Sequence, residues 1–304
     1  MSDNAKAAVL AAFAADSLAL GAHWIYDPEI IQADFGRIES PAAPGPDSFH
    51  KTKGKGDFTH YGDQMLVLLR SIAGKKEFVT ADFSEKWRAL FDNYDGYIDN
   101  ATRKTLANYE KGAGPENAGS SSNDLAGAAR IAPLIGLYSD DPEKLVQAAR
   151  AQTAMTHNNE AVIDAAAFFA RLAHAVLQGS APAAAVENLA EDDEFAMSPI
   201  SMYIEPGLKS ANEQSADAIA RFGPACEIDQ ALPGTIHLIA RYEDNLKEAL
   251  VQSVMAGGDS AARGTIAGMI LGAHQGMEAV SGDWIESVNR ISEIRKLLDQ
   301  ITGL

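Results

Sequence analysis

The fold is decided by residues 256–276, which read AGGDSAARGTIAGMILGAHQG. They predict a helix that begins just after Asp259 and is apolar along most of its length. Four glycines recur at every fourth position of this helix: Gly264, Gly268, Gly272 and Gly276. Residues four apart share one helix face, and each glycine there costs up to about 1 kcal/mol relative to alanine. The stripe indicates close approach by another helix, so we predict that this helix is central to the fold.

The rest of the chain repeats the helical spacing of apolar residues, and alternation with a period of two is almost absent. We therefore predict an all-α protein. No internal repeat or sharp change of composition divides the chain, so we expect residues 1–304 to form a single domain. The predicted helices cover residues 5–24, 63–74, 83–111, 124–138, 143–154, 159–178, 183–191, 208–221, 243–256, 260–279 and 283–302.

The chain is strongly acidic, with 42 acidic and 25 basic side chains and a net charge of -17. Binding to nucleic acid or to an anionic membrane depends on clustered lysine and arginine, so the charge argues against both. No stretch approaches the roughly 18 uninterrupted apolar residues of a membrane helix. Residues 6–20 imitate a signal peptide, but Asp3 and Asp16 oppose that interpretation. We expect a cytoplasmic protein.

Cys226 is the single cysteine of the chain. It excludes an internal disulfide framework and any zinc or iron–sulfur site built from several cysteines, and it suits a reducing compartment. A cysteine nucleophile would need a base beside it, so a lone buried thiol is the favoured interpretation.

Two aspartates lie where a carboxylate needs a partner. Asp16 falls in the middle of the predicted helix 5–24, which is apolar nearly all round. A buried carboxylate is costly unless it is paired or hydrogen-bonded, so a salt bridge, a helix cap or a ligand must meet it. Asp259 is placed to cap the central helix, but the two glycines before it also leave room for a ligand or an ion.

A third aspartate, Asp63, belongs to residues 58–65, FTHYGDQM, directly before an apolar helical face. A role as a helix cap would explain Asp63 alone. It would leave unexplained the neighbouring polar side chains Thr59, His60 and Tyr61.

Two further polar junctions, residues 120–123 and residues 155–159, separate predicted helices. Each alone is more simply a cap or a turn, because Ser, Asn and Asp are favoured there. Five polar junctions in one helical chain are harder to dismiss. The longest irregular segment, residues 27–61, far exceeds an ordinary loop, and such loops are more often functional or mobile than idle.

Asp92, Asp95 and Asp99 have a spacing that places them on one face of the predicted helix 83–111. This loosely resembles the aspartate-rich metal motif of isoprenoid synthases. No second motif of that kind follows, so a solvated charged face is the favoured interpretation.

The order and content of the polar junctions resemble the ADP-ribosylglycohydrolase family over almost the whole chain. AADSLALGAHW resembles the family's Gly-Asp-Ala-Leu-Gly helix, with its aspartate at Asp16, and THYGDQM lies where the family has Thr-Asp-Asp-Thr. Residues 122–133 resemble the segment Ser-Asn-Gly to Arg-Ile-Ala-Pro, and residues 155–157 fall on the family's Thr-His. The most specific likeness joins residues 256–276 to the Gly-Gly-Asp-Thr-Asp-Thr helix.

The resemblance implies an orthogonal, all-α helical domain whose aspartates and threonines hold a pair of magnesium or manganese ions. The family cleaves the bond at the anomeric carbon of ribose. This sequence departs from the pattern where the metals should sit, because Asp63 alone remains from the Thr-Asp-Asp-Thr motif and Ala261 replaces an aspartate. The family's catalytic glutamate falls on His23. The pattern is similar to a divergent branch that includes jellyfish lens crystallins.

The leading hypothesis is therefore a hydrolase of an ADP-ribosyl or related nucleotide-sugar bond, on a small-molecule or protein-linked substrate. One Mg²⁺ or Mn²⁺ ion would be held by Asp63, Asp259 and Ser260, and His23 or His60 would move the proton, with Asp63 a third catalytic candidate. The expected substrate-binding residues are Asp16, Tyr61, Asn123 and His157. The alternatives are a non-catalytic member, either ADP-ribose- or nucleotide-binding or structural, and a metal-free glycosidase that uses two carboxylates.

Overall fold

Helices make up nearly all the regular structure of residues 1–280 and 282–302, the part of the chain that the computed structural model describes. The prediction of a single-domain, all-α fold is confirmed. Among these residues no helix is long and apolar enough to cross a bilayer. In chain order the helices are α1 (Asp3–Ala19), α2 (Pro28–Phe35), α3 (His60–Ile72), α4 (Thr80–Leu90), α5 (Asn100–Glu110), α6 (Ala126–Ala129), α7 (Ala132–Tyr138), α8 (Pro142–Ala154), α9 (Glu160–Leu177), α10 (Pro182–Ala190), α11 (Asp193–Ala196), α12 (Ser201–Lys209), α13 (Ser215–Phe222), α14 (Ile228–Arg241), α15 (Leu246–Met255), α16 (Ser260–Gln275), α17 (Gly282–Glu286) and α18 (Ile291–Thr302).

The core is organised around α16, which packs along α1. A Cβ atom added to Gly272 would lie 2.8 Å from the Cβ of Ala11 and 2.9 Å from the carbonyl oxygen of Ala7. One added to Gly268 would lie 2.9 Å from the carbonyl oxygen of Ala11, whereas at Gly264 the nearest atom is 3.5 Å away. Two of the predicted glycines thus set the distance between the helices, and the prediction of a central helix is confirmed.

The predicted helix 83–111 is wrong, because α4 and α5 are separate helices. Asp92 and Asp95 lie in the connection between them, and Asp99 caps α5 by accepting a hydrogen bond from the backbone N–H of Thr102, at 2.5 Å. Short polar side chains bond to nearby backbone groups and so favour caps and turns over helix interiors. The three aspartates therefore do not share a helix face.

Other boundaries also differ from the sequence prediction. The segment 27–61, predicted to be irregular, contains α2, which Asp27 caps and Pro28 begins. Helix α14 was missed because Pro233, which lies inside it, reads as a helix breaker. The predicted helix 124–138 is divided into α6 and α7.

Two isolated β-bridges pair Ser120 with His157 and Asp124 with Glu227. They tie the polar junction before α6 to the junction before α9 and to the start of α14. Junctions that are distant in sequence therefore meet at one end of the helices.

Candidate functional site

Asp16 lies fully buried in α1 and faces the N-terminus of α3. Its carboxylate accepts hydrogen bonds from the backbone N–H and the hydroxyl of Thr59, at 2.8 and 2.6 Å, and from the backbone N–H of Gly62, at 3.2 Å. Burial raises the pKa of Asp16 to about 6, against the opposing effect of the Thr59 hydrogen bonds. Asp16 thus accepts hydrogen bonds from backbone N–H groups at the start of α3 that have no partner within the helix, and so stabilises the beginning of α3.

Asp63 lies in the first turn of α3, as predicted, but Thr59 caps the helix. The Oδ2 of Asp63 accepts two hydrogen bonds. One comes from the Nζ of Lys53, at 2.6 Å, and the other from the hydroxyl of Tyr94, also at 2.6 Å. The Lys53 and Asp63 side chains are 13% and 18% exposed. The Lys53–Asp63 ion pair therefore connects the segment before α3 to the first turn of that helix.

His60, the first residue of α3, belongs to a buried row of polar rings. Its Nδ1 lies 3.1 Å from the Nε2 of His50, and its Nε2 lies 3.1 Å from the Oδ2 of Asp99. A proton on His60 Nε2, facing the carboxylate, leaves Nδ1 to accept from His50. The Nδ1 of His50 then carries a lone pair with no partner among the described residues.

Burial and neighbouring groups set the charge states of His50 and Asp99 in this row. Burial lowers the pKa of His50 to about 3, and neighbouring His60 and Lys53 act in the same direction. Burial alone would raise the pKa of Asp99, but the contacts with His60 and the Thr102 amide hold it well below its usual range. The row therefore contains a carboxylate and a neutral His50 at neutral pH.

His23 and Asp259 form the second buried contact of the site. The Nε2 of His23 lies 3.6 Å from the Oδ1 of Asp259, and its Nδ1 accepts the backbone N–H of Ala261 at 3.4 Å. Both ring nitrogens thus face the N-terminus of α16. Burial and the nearby histidines lower the pKa of His23 well below its usual range, so the ring is neutral.

Asp259 precedes α16 but does not cap it with its side chain. Within residues 1–280 and 282–302, neither carboxylate oxygen has a hydrogen-bond partner, and the hydroxyl of Ser260 has none either. Burial raises the pKa of Asp259 to about 7, against the opposing charge of Arg263. Orphaned buried oxygens of this kind mark a place where water or a ligand group is expected.

The segment that carries His23 is held against α16 by its backbone. Trp24 has φ +67°, and its N–H donates to the carbonyl oxygen of Gly258 at 2.9 Å, while the N–H of Gly258 donates to Ile25 at 2.8 Å. Gly258 has φ +68°, and a Cβ there would lie 2.0 Å from the carbonyl oxygen of Pro224. A Cβ atom on Gly257 would lie 2.7 Å from the carbonyl oxygen of Ile25. The paired glycines before Asp259 thus allow the close approach of two segments, those of Ile25 and Pro224.

His157, a predicted substrate residue, lies close to a buried arginine. Arg130 donates to Gln64 and to the hydroxyl of Thr156, whose Oγ1 lies 2.9 Å from the Nδ1 of His157. Burial, with the charge of Arg130, lowers the pKa of His157 to about 4. The carbonyl oxygen of Asn123 accepts the N–H of Ile228 at 2.9 Å.

Tyr61 is buried beside the histidines, with its ring centroid 4.0 Å from that of His60 and 5.5 Å from that of His23. Burial raises the pKa of Tyr61 well above its usual range, so the phenol is neutral. Tyr61 therefore presents a neutral ring to the site.

The residues present do not fit the pair of magnesium or manganese ions that the resemblance implies. Hard cations need several oxygen ligands. One oxygen of Asp63 is engaged by Lys53 and Tyr94, and Ala261 offers no side-chain ligand. Across the described ranges, no three His, Cys, Asp or Glu side chains converge so that they could hold a metal ion. The side-chain oxygens of Asp259 and Ser260 have no partner among the described residues, but these oxygens are too few to hold two metal ions.

A cavity of about 420 Å³ opens beside the His23–Asp259 contact, between α2 and the loop that precedes α3. Its lining combines aromatic and apolar side chains with two aspartates. It includes His23, Trp24, Tyr26, Asp34, Phe35, Asp47 and Phe49.

Sequence reasoning missed several residues of this site. His50 lies in the long segment 27–61 without a helical pattern, and Asp99 was assigned to a solvated face. Arg130 belongs to the Arg-Ile-Ala-Pro segment that resembles the family, but nothing in the sequence indicates that it is buried with Gln64. The one available signal was the unusual density of histidine and tyrosine around residues 58–61.

Comparison with known proteins identifies relatives of this chain and a solved structure with the same fold. A family model described as ADP-ribosylglycohydrolase matches residues 1–304. Crystallin J1A of Tripedalia cystophora is 24% identical over 99% of this chain and 97% of its own length. The ADP-ribosyl-[dinitrogen reductase] glycohydrolase of Rhodospirillum rubrum is 24% identical over 82% of this chain and 80% of its own length. A solved structure described as an ADP-ribosylglycohydrolase-related protein complex has a TM-score of 0.72, 21% identity, and coverage of 99% of this chain and 97% of its own.

Proposed function

The chain belongs to the ADP-ribosylglycohydrolase family, and on that premise we propose that it is a ligand-binding member that does not carry out the family's metal-assisted hydrolysis. The ligand site is the cavity beside His23 and Trp24. This proposal takes the non-catalytic alternative over the metallohydrolase hypothesis.

One observation carries the proposal: the Asp63 carboxylate is bound at 2.6 Å by both Lys53 and Tyr94. Lys53 supplies the positive charge that a metal ion would otherwise supply, and an ammonium group and a divalent cation would repel each other at the same oxygen. A metal at Asp63 would first have to displace a largely buried ion pair, which is costly.

The two histidines predicted to move a proton support the same proposal. Both nitrogens of His23 face α16, and His60 lies between His50 and Asp99. A general base must reach the proton that it takes from the substrate or water. The Nε2 atom of each ring has no hydrogen-bond partner among the described residues, but it lies against a carboxylate of the protein, that of Asp259 for His23 and that of Asp99 for His60.

Hydrolysis is the second candidate, since family membership supports cleavage of ADP-ribosyl linkages. It is favoured by Asp259, whose two oxygens have no partner among the described residues and whose pKa is raised to about 7. A carboxyl group with such a pKa is suited to exchange protons at neutral pH. In this candidate Asp259 would be the acid or base, without a metal.

Release of ADP-ribose from peptides modified on arginine or serine, and from an acetyl ester of ADP-ribose, separates the candidates. We expect no release above the uncatalysed rate, with or without Mn²⁺. Release that needs Mn²⁺ would overturn the proposal. Metal-independent release that Asp259→Asn abolishes would establish the second candidate instead, and the exposed Asp244→Asn is the matched control.

A further inference from the structure

The cavity beside Trp24 combines aromatic walls with unpaired negative charge. Trp24, Tyr26, Phe35 and Phe49 line it, and the Tyr26 and Phe49 side chains are 50% and 59% exposed. Exposed aromatic rings grouped around one concavity are unusual on a protein that buries nearly all its other large apolar side chains. Cavities of 300 to 1,000 Å³ with such linings are typical of small-molecule sites.

The charge of the cavity is entirely negative. Its lining includes the exposed Asp34 and Asp47 and contains no lysine or arginine. Neither carboxylate has a hydrogen bond or an ion pair with any described residue. Arg37, which follows α2 in the chain, is engaged by Glu39, at 2.9 Å, and by Glu248, at 2.5 Å. The charged side chains that line the cavity therefore favour a cation over an anion.

We propose that this cavity binds a small organic cation, an alkylated ammonium group that sits against Tyr26, Phe49 and Trp24 with Asp34 and Asp47 at the rim. Aromatic faces attract such cations through their quadrupoles, and the attraction grows when the cation loses water. A diphosphate would meet two carboxylates and no cationic side chain, so it is disfavoured. This inference deepens the proposed function, on which it rests, by naming the ligand class.

The backbone at Trp24 supports a ligand site here. A φ of +67° is uncommon outside glycine and costs free energy, and the chain retains it where it turns the indole toward Phe49, with ring centroids 5.4 Å apart. The hydrogen bond from Trp24 to Gly258 holds the strained residue in place. One wall of the cavity is therefore preorganised.

The test is calorimetric titration of the whole chain with choline and with its neutral isostere, 3,3-dimethylbutan-1-ol. We expect choline to bind at least about tenfold more tightly than the isostere, with an affinity that falls as salt is raised. Equal affinities, or binding of ADP-ribose without binding of choline, would overturn the inference.

Variants of the cavity lining test whether choline binds in this cavity. Tyr26→Leu, Phe49→Leu and the double variant Asp34→Asn/Asp47→Asn should each weaken choline binding about fivefold or more, and all change exposed residues. Glu29→Gln, exposed on α2 but outside this cavity, is the matched control and should bind as the parent does. Choline affinity unchanged in all three cavity variants would overturn the inference. Metal-dependent hydrolysis would refute the proposed function instead, so the two failures are distinguishable.

Discussion

The Nε2 of His23 lies 3.6 Å from the Oδ1 of Asp259, and neither side chain is exposed to solvent. The resemblance aligned His23 with a catalytic glutamate, so here an imidazole stands beside the aspartate that remains from the last family motif. Burial keeps the ring neutral and raises the pKa of the carboxyl group to about 7. Near neutral pH the carboxyl group of Asp259 is thus poised between its two charge states, beside a ring that stays neutral.

Asp259→Asn should change how stability depends on pH. The folded pKa of about 7 exceeds the usual 3.8, so folding favours protonated Asp259. The stability that this group contributes is complete below about pH 4 and is lost as the pH rises to about 7, by roughly 4 kcal/mol in total. Asparagine cannot ionise, so the variant should gain stability relative to the parent between pH 4 and 7. Urea unfolding across this range measures the difference.

The control is Asp244→Asn, which changes an Asp–His contact whose aspartate side chain is 92% exposed. We expect it to alter stability by less than about 0.5 kcal/mol at every pH. A difference between Asp259→Asn and the parent that stays constant from pH 4 to 8 would contradict an ionising, buried Asp259.

The buried histidines should make the protein sensitive to acid. Burial lowers the pKa values of His50 to about 3 and of His157 and His237 to about 4, below the usual 6.5. The unfolded chain then binds more protons than the folded one below about pH 6.5, and stability falls as the pH falls. His50→Gln should reduce this slope by about 1.4 kcal/mol per pH unit between pH 4 and 6.

Measurement of unfolding free energies at closely spaced pH values tests this expectation. His274→Gln, which changes a partly exposed histidine at the end of α16, is the matched control. An acid slope that is the same in His50→Gln and in the parent would show that His50 does not titrate on unfolding.

Lys53→Met should destabilise the fold by about 1–3 kcal/mol, because it leaves the largely buried Asp63 without its cation. The double variant Lys53→Met/Asp63→Asn should cost less than the sum of the two single changes, since both remove one interaction. Lys144→Met breaks an exposed pair and should cost less than about 1 kcal/mol. Strict additivity at Lys53 and Asp63 in denaturant unfolding would argue against the contact.

Gly272→Ala should destabilise the fold by about 1–3 kcal/mol, because the new methyl group would lie 2.8 Å from the Cβ of Ala11. Gly264→Ala is the matched control on the same helix, where the nearest atom is 3.5 Å away, and it should be neutral or stabilising by up to about 1 kcal/mol. Thermal unfolding of the two variants compares them directly. Equal losses at both sites would mean that α1 does not approach α16 at Gly272.

The fold was predictable because its determinants are local and periodic. The glycines at 268 and 272 predicted a close helix pair, and the pairing with α1 confirmed it. The helix 83–111 was wrongly predicted because spacing alone cannot show that Asp99 will bond to an amide and cap a new helix. Helix α14 was missed because its apolar face outweighs the cost of Pro233.

The sequence identifies some residues of the candidate site but not their partners. Asp16, Asp63 and Asp259 were identified because a carboxylate in an apolar helix needs a partner. Nothing in the sequence says that Lys53, ten residues earlier, will meet Asp63, or that His23 will meet Asp259, since both contacts depend on how loops cross helix ends. Those contacts decide whether a metal can bind.

The most direct test of the central claim is thermal unfolding with and without millimolar Mn²⁺ or Mg²⁺ at constant ionic strength. A metal that binds only the folded state must raise the unfolding temperature. The account predicts a change of less than about 1 °C with either ion. An increase of several degrees that Asp63→Ala or Asp259→Ala abolishes would contradict it and restore the metallohydrolase.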